Sequence, residues 1–324
     1  MEKEKKSFNL VTLILIGIII VLGIIGLVAY CINVTSKENG SVTNENREDK
    51  VFATLYNDGT LVFNTTGNIA TKYNAEDIIV KSDNIVDEKF ELVDGIVETG
   101  GCCGEPHPNV PWVHYSNEIN KIIFEEEVKP KYLVNYFYGL ENLESIENIQ
   151  YLNTSKVTDL SNMFAYCSKL KELDLSNFDT SNVTNMEYMF WYCGELEKIN
   201  LKNLNTSNVT NMSSIFLYCS KLKELDLSNF NTSNVIDMSN MFSWCVNLKS
   251  LDLSNFDTSN VINMSGLFST CSGLKSLDLK NFDTSNVTDM SFMFASCENI
   301  NDLNLSSFDT SNVNDFGFMF SRMF

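Results

Sequence analysis

Residues 170–193 read LKELDLSNFDTSNVTNMEYMFWYC, and this unit recurs through the second half of the chain with a fixed period of 26 residues. One position of the repeat is cysteine, at Cys167, Cys193, Cys219, Cys245, Cys271 and Cys297. Another position is threonine, which opens a Thr-Ser-Asn/Lys-Val tetrad at Thr154, Thr180, Thr206, Thr232, Thr258, Thr284 and Thr310. Such a period is typical of a solenoid, in which similar coils stack and bury a continuous core.

The apolar residues of one unit predict a short strand followed by a short helical turn. Leu173 and Leu175 alternate with polar residues, as in a half-buried strand. Val183, Met186 and Phe190 recur at three- and four-residue steps, which suits one or two turns of α- or 3₁₀-helix. The sequence therefore predicts an α/β repeat solenoid, with one short parallel strand and one short helical turn in each coil.

Two polar positions of the repeat are predicted to stabilise its turns. Asparagine follows the strand segment at Asn177, Asn203, Asn229, Asn255 and Asn281. Its carboxamide can satisfy backbone groups that the stacked turns would otherwise bury without partners. The Thr-Ser pair of each tetrad suits a cap or an ST-turn, in which the hydroxyl bonds to its own backbone.

The consensus of the units, LDLSNFDTSNVTDMSxMFxxC, resembles the repeat of BspA-type leucine-rich-repeat bacterial surface proteins. Residues 110–157 are similar to the segment that precedes the repeat in those proteins, and YNDGTLVF at 56–63 resembles their first hairpin. The resemblance covers residues 51–324. It implies an extracellular solenoid used for adhesion or host interaction, without catalytic residues. The chain departs from the family pattern at Phe324, inside the seventh unit, so a truncated product is one interpretation.

The N-terminal region contains an apolar run long enough to cross a membrane. Residues 10–32 carry no charged side chain, and a helix of this length spans a bilayer core of about 30 Å. We expect an uncleaved signal anchor. Lys3, Lys5 and Lys6 favour residues 1–9 in the cytoplasm, although the basic residues after the run, Lys37, Arg47 and Lys50, weaken this asymmetry. The resemblance to BspA-type surface proteins implies that the repeats lie outside. A cleaved signal peptide or a lipid anchor at Cys31 is the alternative. The expected location is the plasma membrane, with a single span and the repeats outside.

The remaining chain divides by composition into three parts. Residues 33–50 are polar and should form a flexible spacer. Residues 51–140 are expected to form a β-rich lead-in module that caps the solenoid, with a hairpin turn at Asn57-Asp58-Gly59. Residues 141–324 form the predicted solenoid, whose last repeat is incomplete.

Charge and motif content exclude several classes of function. The chain has 42 Asp and Glu against 23 Lys and Arg, a formal net charge of −19, which disfavours nucleic acid as a partner. Cys102 and Cys103, with His107 and His114, raise the alternative of a zinc site, but adjacent cysteines rarely chelate one ion together. We expect a surface loop there, and neither metal nor cofactor. With only two histidines and no nucleophile or phosphate motif, the chain is not expected to be an enzyme.

The cysteine column is expected to be structural. In stacked coils the side chains of Cys167, Cys193, Cys219, Cys245, Cys271 and Cys297 should point in parallel directions. Parallel Cβ vectors disfavour disulfides even where the Cα atoms lie close together. The six side chains are therefore predicted to be reduced, buried thiols that act as small apolar groups.

Two surfaces are candidates for binding. The pair of residues before each cysteine varies between units, and it supplies the aromatic residues Tyr166, Trp191, Tyr192, Tyr218 and Trp244. These residues are expected to form a ridge for an extracellular protein or glycan, or alternatively to pack partly against the adjacent coil. The rival surface is the strand face, with Asp174, Asn200, Asp226, Asp252, Asp278 and Asn304. It could meet a basic partner or calcium, or be merely a solvated face. The expected function is surface binding, and a structural surface component or a remnant without a ligand is the alternative.

Overall fold

The structure is a computed structural model that describes residues 51–66, 78–82, 112 and 115–323. The predicted cytoplasmic tail, signal anchor and spacer (residues 1–50) lie outside the described residues, as do Cys102, Cys103, His107 and His114. Among the described residues, no helix is both long enough and apolar enough to cross a membrane.

The lead-in module forms a five-stranded sheet that continues into the repeats. Its strands are β1 (Phe52–Tyr56), β2 (Thr60–Asn64), β3 (Ile78–Ser82), β4 (Lys121–Phe124) and β5 (Ser145–Glu147), in the order β3-β1-β2-β4-β5. β1 is antiparallel to β2 and β3, whereas β2, β4 and β5 pair in parallel. Parallel pairing thus begins at β2, the second strand of the hairpin, and continues through β4 to β5.

The predicted hairpin turn forms between β1 and β2. The amide of Gly59 donates to the carbonyl of Tyr56 at 3.0 Å, and the Asp58 carboxylate accepts the amide hydrogen of Thr60 at 3.0 Å. Gly59 has a φ of 81°, and a Cβ there would collide with the carbonyl of Glu118. Both its conformation and its close approach to the chain before β4 therefore require glycine.

The predicted parallel strands form in some coils and not in others. β6 (Glu172–Asp174) pairs in parallel with β7 (Lys198–Asn200), and β8 (Ser276–Leu277) pairs in parallel with β9 (Asp302–Leu303). In the two coils between these pairs the chain makes no regular ladder, although Leu227 and Leu253 occupy the same buried position. The prediction of one strand in every coil is therefore wrong for these two coils.

The predicted helical turn does not form, and overlapping β-turns take its place. The amides of Met189 and Cys193 donate to the carbonyls three residues earlier, at Met186 and Phe190, both at 3.2 Å. The alternate amides of Tyr188, Phe190 and Tyr192 donate instead to the next coil, at 2.8–3.0 Å. Tyr188 and Tyr192 have φ values of 56° and 61°, and such left-handed residues interrupt a helix. A 3₁₀ turn forms at Ile149–Tyr151, before the first strict repeat.

One apolar cluster runs continuously from Val51 to Met323. Its centre is a column of stacked, buried phenylalanine rings at Phe164, Phe190, Phe216, Phe242, Phe268 and Phe294, whose neighbouring centroids lie 5.6–6.0 Å apart. The ring of Phe320 continues the stack 5.8 Å beyond Phe294 but is 44% exposed. A single coil could not bury these rings, so the stability of each coil depends on its neighbours.

The polar columns hold the turns together between coils. The Asn229 carboxamide donates to the carbonyls of Leu201 and Leu204, at 3.1 and 2.7 Å, and Asn203, Asn255 and Asn281 make similar bonds to the preceding coil. The asparagine prediction is thereby confirmed for these four residues.

The Thr180 hydroxyl donates to the carbonyl of Asn205 in the next coil at 2.9 Å. The predicted Thr-Ser cap is wrong, because the turn is closed by the Asp179 carboxylate, which accepts the Ser181 amide hydrogen at 3.0 Å.

Candidate binding surface

The cysteine column lies in the core and offers no reactive group. All six repeat cysteines are buried and free of disulfides. The Cys193 thiol donates to the carbonyl of Phe164 in the preceding coil at 3.1 Å, and the other five make the same kind of bond. Burial raises the pKa of Cys193 to about 12. The thiols are therefore protonated donors that bind backbone carbonyls, which is a structural role.

Four of the predicted aromatic residues line up on successive coils. We call Tyr166, Tyr192, Tyr218 and Trp244 the aromatic row; neighbouring ring centroids lie 5.1, 5.2 and 4.8 Å apart. All four residues are in the left-handed region, with φ between 61° and 63°. This backbone conformation recurs at one repeat position and gives the four side chains a common direction. Tyr192 and Trp244 are 44% and 42% exposed.

Trp191 is not part of the row, and its predicted place on an exposed ridge is wrong. Its side chain is only 8% exposed and belongs to a small apolar cluster with Tyr138 and Ala165. Its ring centroid lies 4.7 Å from that of Tyr166 and 4.9 Å from that of Tyr188. Trp191 precedes a left-handed residue, and successive residues of the turn point to opposite sides. The first member of the variable pair is buried in four of the six pairs, at Ala165, Trp191, Ser243 and Ala295, and the second member is more exposed in each of these.

Two aromatic residues that support the row were not predicted from the sequence. Tyr138 lies in the lead-in part of the chain, outside the strict repeat, and its ring centroid is 5.6 Å from that of Tyr166. The ring centroid of Tyr188 lies 4.9 Å from that of Trp191. Backbone amides donate alternately within a coil and to the next coil, and this alternation decides which side chains lie near the row. It could not be predicted, because it depends on left-handed residues that leave no clear signal in the sequence.

The acidic strand face serves mainly to form turns. The carboxylates of Asp174, Asp226 and Asp252 each accept the amide hydrogen of the serine two residues later, at 2.9–3.0 Å. Hydrogen bonds from Ser176 lower the pKa of Asp174. Asn200, Asp278 and Asn304 accept the corresponding amide hydrogens. Within the described residues, no group of three or more acidic, histidine or cysteine side chains is arranged to hold a metal ion.

The strand face also bears an open depression next to the first repeats. Its volume is about 640 Å³, and it is lined by Ile146, Glu172, Asp174, Lys198, Asn200 and neighbouring residues. Lys198 forms an ion pair with Glu172 at 2.8 Å, with both side chains largely exposed. Because an exposed pair of this kind is strongly hydrated, it gives little specificity for a ligand. The aromatic row is therefore the stronger candidate.

Comparison with known proteins gives a family for the repeats. No curated protein matches the chain. Among solved structures, the chain is similar to the crystal structure of a leucine-rich repeat protein from Eubacterium ventriosum ATCC 27560, at 15% identity and a TM-score of 0.25 over 81% of this chain and 77% of that one. Residues 131–251 and 245–324 match the family described as "Mycoplasma protein of unknown function, DUF285", and together they cover more than half of the chain. This chain therefore belongs to the DUF285 family.

Proposed function

We propose that this protein is a membrane-anchored surface protein whose solenoid presents the aromatic row to an extracellular protein or glycan. The main support for the proposal is the row itself, in which Tyr192 and Trp244 are both more than two-fifths exposed and are joined by the ring of Tyr218 on the coil between them. Large exposed aromatic side chains in a contiguous array are typical of binding surfaces. The role is non-catalytic and needs no cofactor.

Two features of the sequence support the placement at a cell surface. The uncharged run at residues 10–32 suits a single membrane anchor, and Lys3, Lys5 and Lys6 favour a cytoplasmic N-terminus. The resemblance to BspA-type surface proteins points in the same direction. The net charge of −19 keeps an extended solenoid soluble and favours neutral or basic partners over anionic ones.

A structural role without a specific ligand is the second candidate. The ring contacts within the row favour it, because Tyr166, Tyr192 and Tyr218 pack on one another and so stabilise the coil stack by themselves. Under this alternative, removing a ring from the row would weaken the solenoid and leave attachment to surfaces unchanged.

Attachment of intact cells tests the proposal against this alternative. Cells that display the full-length chain should lose the repeats when protease is added outside, and they should bind immobilised extracellular proteins or glycans. Tyr192→Ala should reduce attachment while the amount of displayed protein stays constant. The matched control is Trp191→Phe, which alters a buried ring. Repeats that resist protease until lysis would contradict the topology, and equal attachment by the Tyr192→Ala variant would favour the structural role.

A further inference from the structure

The aromatic row stops at Trp244, and the next coil has small residues at Gly266, Ser269 and Thr270. We call this gap the notch; its floor is Gly266, Ser269 and Thr270, and Trp244 and Phe292 lie on the coils to either side. Thr270 holds the repeat position of Trp244, one coil further along, and Gly266 holds that of Phe292, one coil earlier. Phe292 is 47% exposed. The notch therefore lies between two exposed aromatic side chains.

One face of the Trp244 indole is directed into the notch. Its ring lies 4.8 Å from that of Tyr218 with an interplanar angle of 12°. Two nearly parallel rings this close must stack face to face, because rings side by side in one plane would overlap. Tyr218 thus covers one face of Trp244. The other face is turned toward Thr270, whose short side chain leaves the indole 42% exposed.

Polar groups converge on the floor of the same notch. A Cβ at Gly266 would collide with Oδ1 of Asn240, so the absence of a side chain there admits the Asn240 carboxamide from the preceding coil. The side-chain amide of Asn240 has no hydrogen-bond partner among the described residues. The hydroxyls of Ser269 and Thr270, which are on the same coil as Gly266, lie 3.5 Å apart, and both residues are half-buried. The notch thus combines an aromatic face with an amide and two hydroxyls.

This combination specifies the chemistry of a ligand. The side chains of Asn240, Trp244, Ser269, Thr270 and Phe292 are all uncharged, and the whole chain carries a net charge of −19, so an anion is disfavoured. An apolar face would stack on the indole, whose electron-rich surface attracts C–H groups. Hydroxyls at the rim of such a ligand could bond to the free amide and to the serine and threonine hydroxyls. A pyranose ring has these features together.

We propose that the notch between Trp244 and Phe292 binds a neutral pyranose unit of a glycan, with the sugar stacked on the free face of Trp244 and hydrogen-bonded to Asn240 and Thr270. The inference rests on the proposed function and specifies the ligand class at the end of the aromatic row. A peptide could use the same aromatic face, but a proline or aromatic side chain would leave the carboxamide and the hydroxyls unpaired.

Tryptophan fluorescence gives a direct readout of this site. The chain has three tryptophans, and Trp112 and Trp191 are 1% and 8% exposed, so acrylamide quenching reports chiefly on Trp244. The full-length protein, in a detergent without a sugar headgroup, is titrated with cellobiose, methyl β-galactoside and chitobiose, and with a sulfated disaccharide as the anionic comparison. At least one neutral sugar should protect Trp244 from quenching in a saturable manner, and the sulfated sugar should bind less tightly.

Three variants localise the binding by calorimetry. Thr270→Trp, which can adopt the same backbone because Thr270 and Trp244 have φ values of 60° and 62°, should cover the free indole face and lower the affinity about tenfold or more. Asn240→Ala should also lower the affinity for the sugar. Tyr151→Ala removes an exposed aromatic ring that lies outside the aromatic row, so it is the matched control and should bind the sugar normally. Circular dichroism checks that each variant is folded.

The inference is overturned if no neutral sugar protects Trp244, or if Thr270→Trp binds as tightly as the parent. It is also overturned if proline-rich or aromatic peptides protect Trp244 and the sugars do not. In these cases the proposed function still stands if Tyr192→Ala weakens attachment of cells to extracellular proteins. If no sugar protects Trp244 and Tyr192→Ala also leaves attachment unchanged, the proposed function is overturned as well.

Discussion

The thiol of Cys219 donates a hydrogen bond to the backbone carbonyl of Phe190, 3.2 Å away in the preceding coil. The same carbonyl accepts the amide hydrogen of Cys193, also at 3.2 Å. The bond repeats along the whole column, so each coil is joined to its neighbour inside the core as well as at the surface. Cysteine suits this position because it fills a small apolar space and still carries a donor.

Substitutions at Cys219 should separate packing from hydrogen bonding. Cys219→Ala removes the donor and leaves a small cavity, so the free energy of unfolding should fall by about 1–3 kcal/mol. Cys219→Ser keeps a donor within reach of the Phe190 carbonyl, so the free energy of unfolding should fall by less, about 1 kcal/mol. Urea denaturation of the full-length chain measures both values. A serine variant that is clearly less stable than the alanine variant would show that the hydrogen bond contributes little.

The thiols should resist modification in the folded protein. Burial raises the pKa of Cys193 and Cys245 to about 12, so little reactive thiolate forms near neutral pH. Of the nine cysteines in the chain, the six in the column should react with a thiol reagent only after denaturation. Mass spectrometry of the native, alkylated protein provides the count. Rapid labelling of the column, or a disulfide between two of its members, would contradict the structure.

Trp244 in the aromatic row and Trp191 beside the row should behave differently when they are truncated. Trp191 is 8% exposed and fills a cluster with Tyr138 and Ala165, so Trp191→Ala should lower stability by about 3–5 kcal/mol. Trp244 is 42% exposed and has one free face, so Trp244→Ala should cost clearly less than Trp191→Ala. Thermal denaturation followed by circular dichroism gives the comparison. Equal losses at both positions would mean that Trp244 is a packing residue.

Thr270 should be a site of backbone strain. It is β-branched and has a φ of 60°, a conformation that asparagine and glycine adopt more readily. Thr270→Asn should therefore raise the free energy of unfolding by about 0.5–1 kcal/mol. Thr270→Ala, which also lacks the branched Cβ but gains no local hydrogen bond, is the comparison and should stabilise less. A destabilised asparagine variant would argue that the threonine side chain makes a contact that outweighs the strain.

Acid should weaken the solenoid through its turn carboxylates. Asp174, Asp226 and Asp252 accept hydrogen bonds from serines two residues later, which lower their pKa below the ordinary value of 3.8. Because these pKa values are lower in the folded than in the unfolded chain, the ionised carboxylates stabilise the fold. This stabilisation is present above pH 3.8 and is lost as the pH falls through and below that value. Burial raises the pKa of Glu187, so this group acts in the opposite direction.

The melting temperature should therefore fall as the pH is lowered from about 5 to 3. Asp226→Asn keeps the oxygen that accepts the Ser228 amide hydrogen, as the natural Asn200 and Asn304 do, and should make the decline shallower. A melting temperature that is independent of pH across this range would show that these hydrogen bonds do not depend on ionisation.

The repeat made the architecture predictable, but its details depended on features that leave no clear signal in the sequence. Equal spacing of Cys193 and Cys219 already implied stacked coils and parallel, unbridged side chains. The three- and four-residue apolar steps are shared by helices and by successive β-turns, so the helical prediction failed. The deciding residues, Tyr188 and Tyr192, are left-handed although tyrosine has no preference for that conformation. The alternation that buries Trp191 and exposes Tyr192 follows from the same backbone.

The most direct test of the account measures the affinity of the purified full-length chain for immobilised extracellular proteins and neutral glycans. The parent is compared with a Tyr192→Ala/Trp244→Ala variant and with the buried control Trp191→Phe. The account predicts that the double variant binds at least about thirtyfold more weakly, the effect of losing one binding hot spot of about 2 kcal/mol, while the control binds normally. Unchanged affinity in the double variant, accompanied by a lower melting temperature, would show that the aromatic row packs the coils and does not bind a partner.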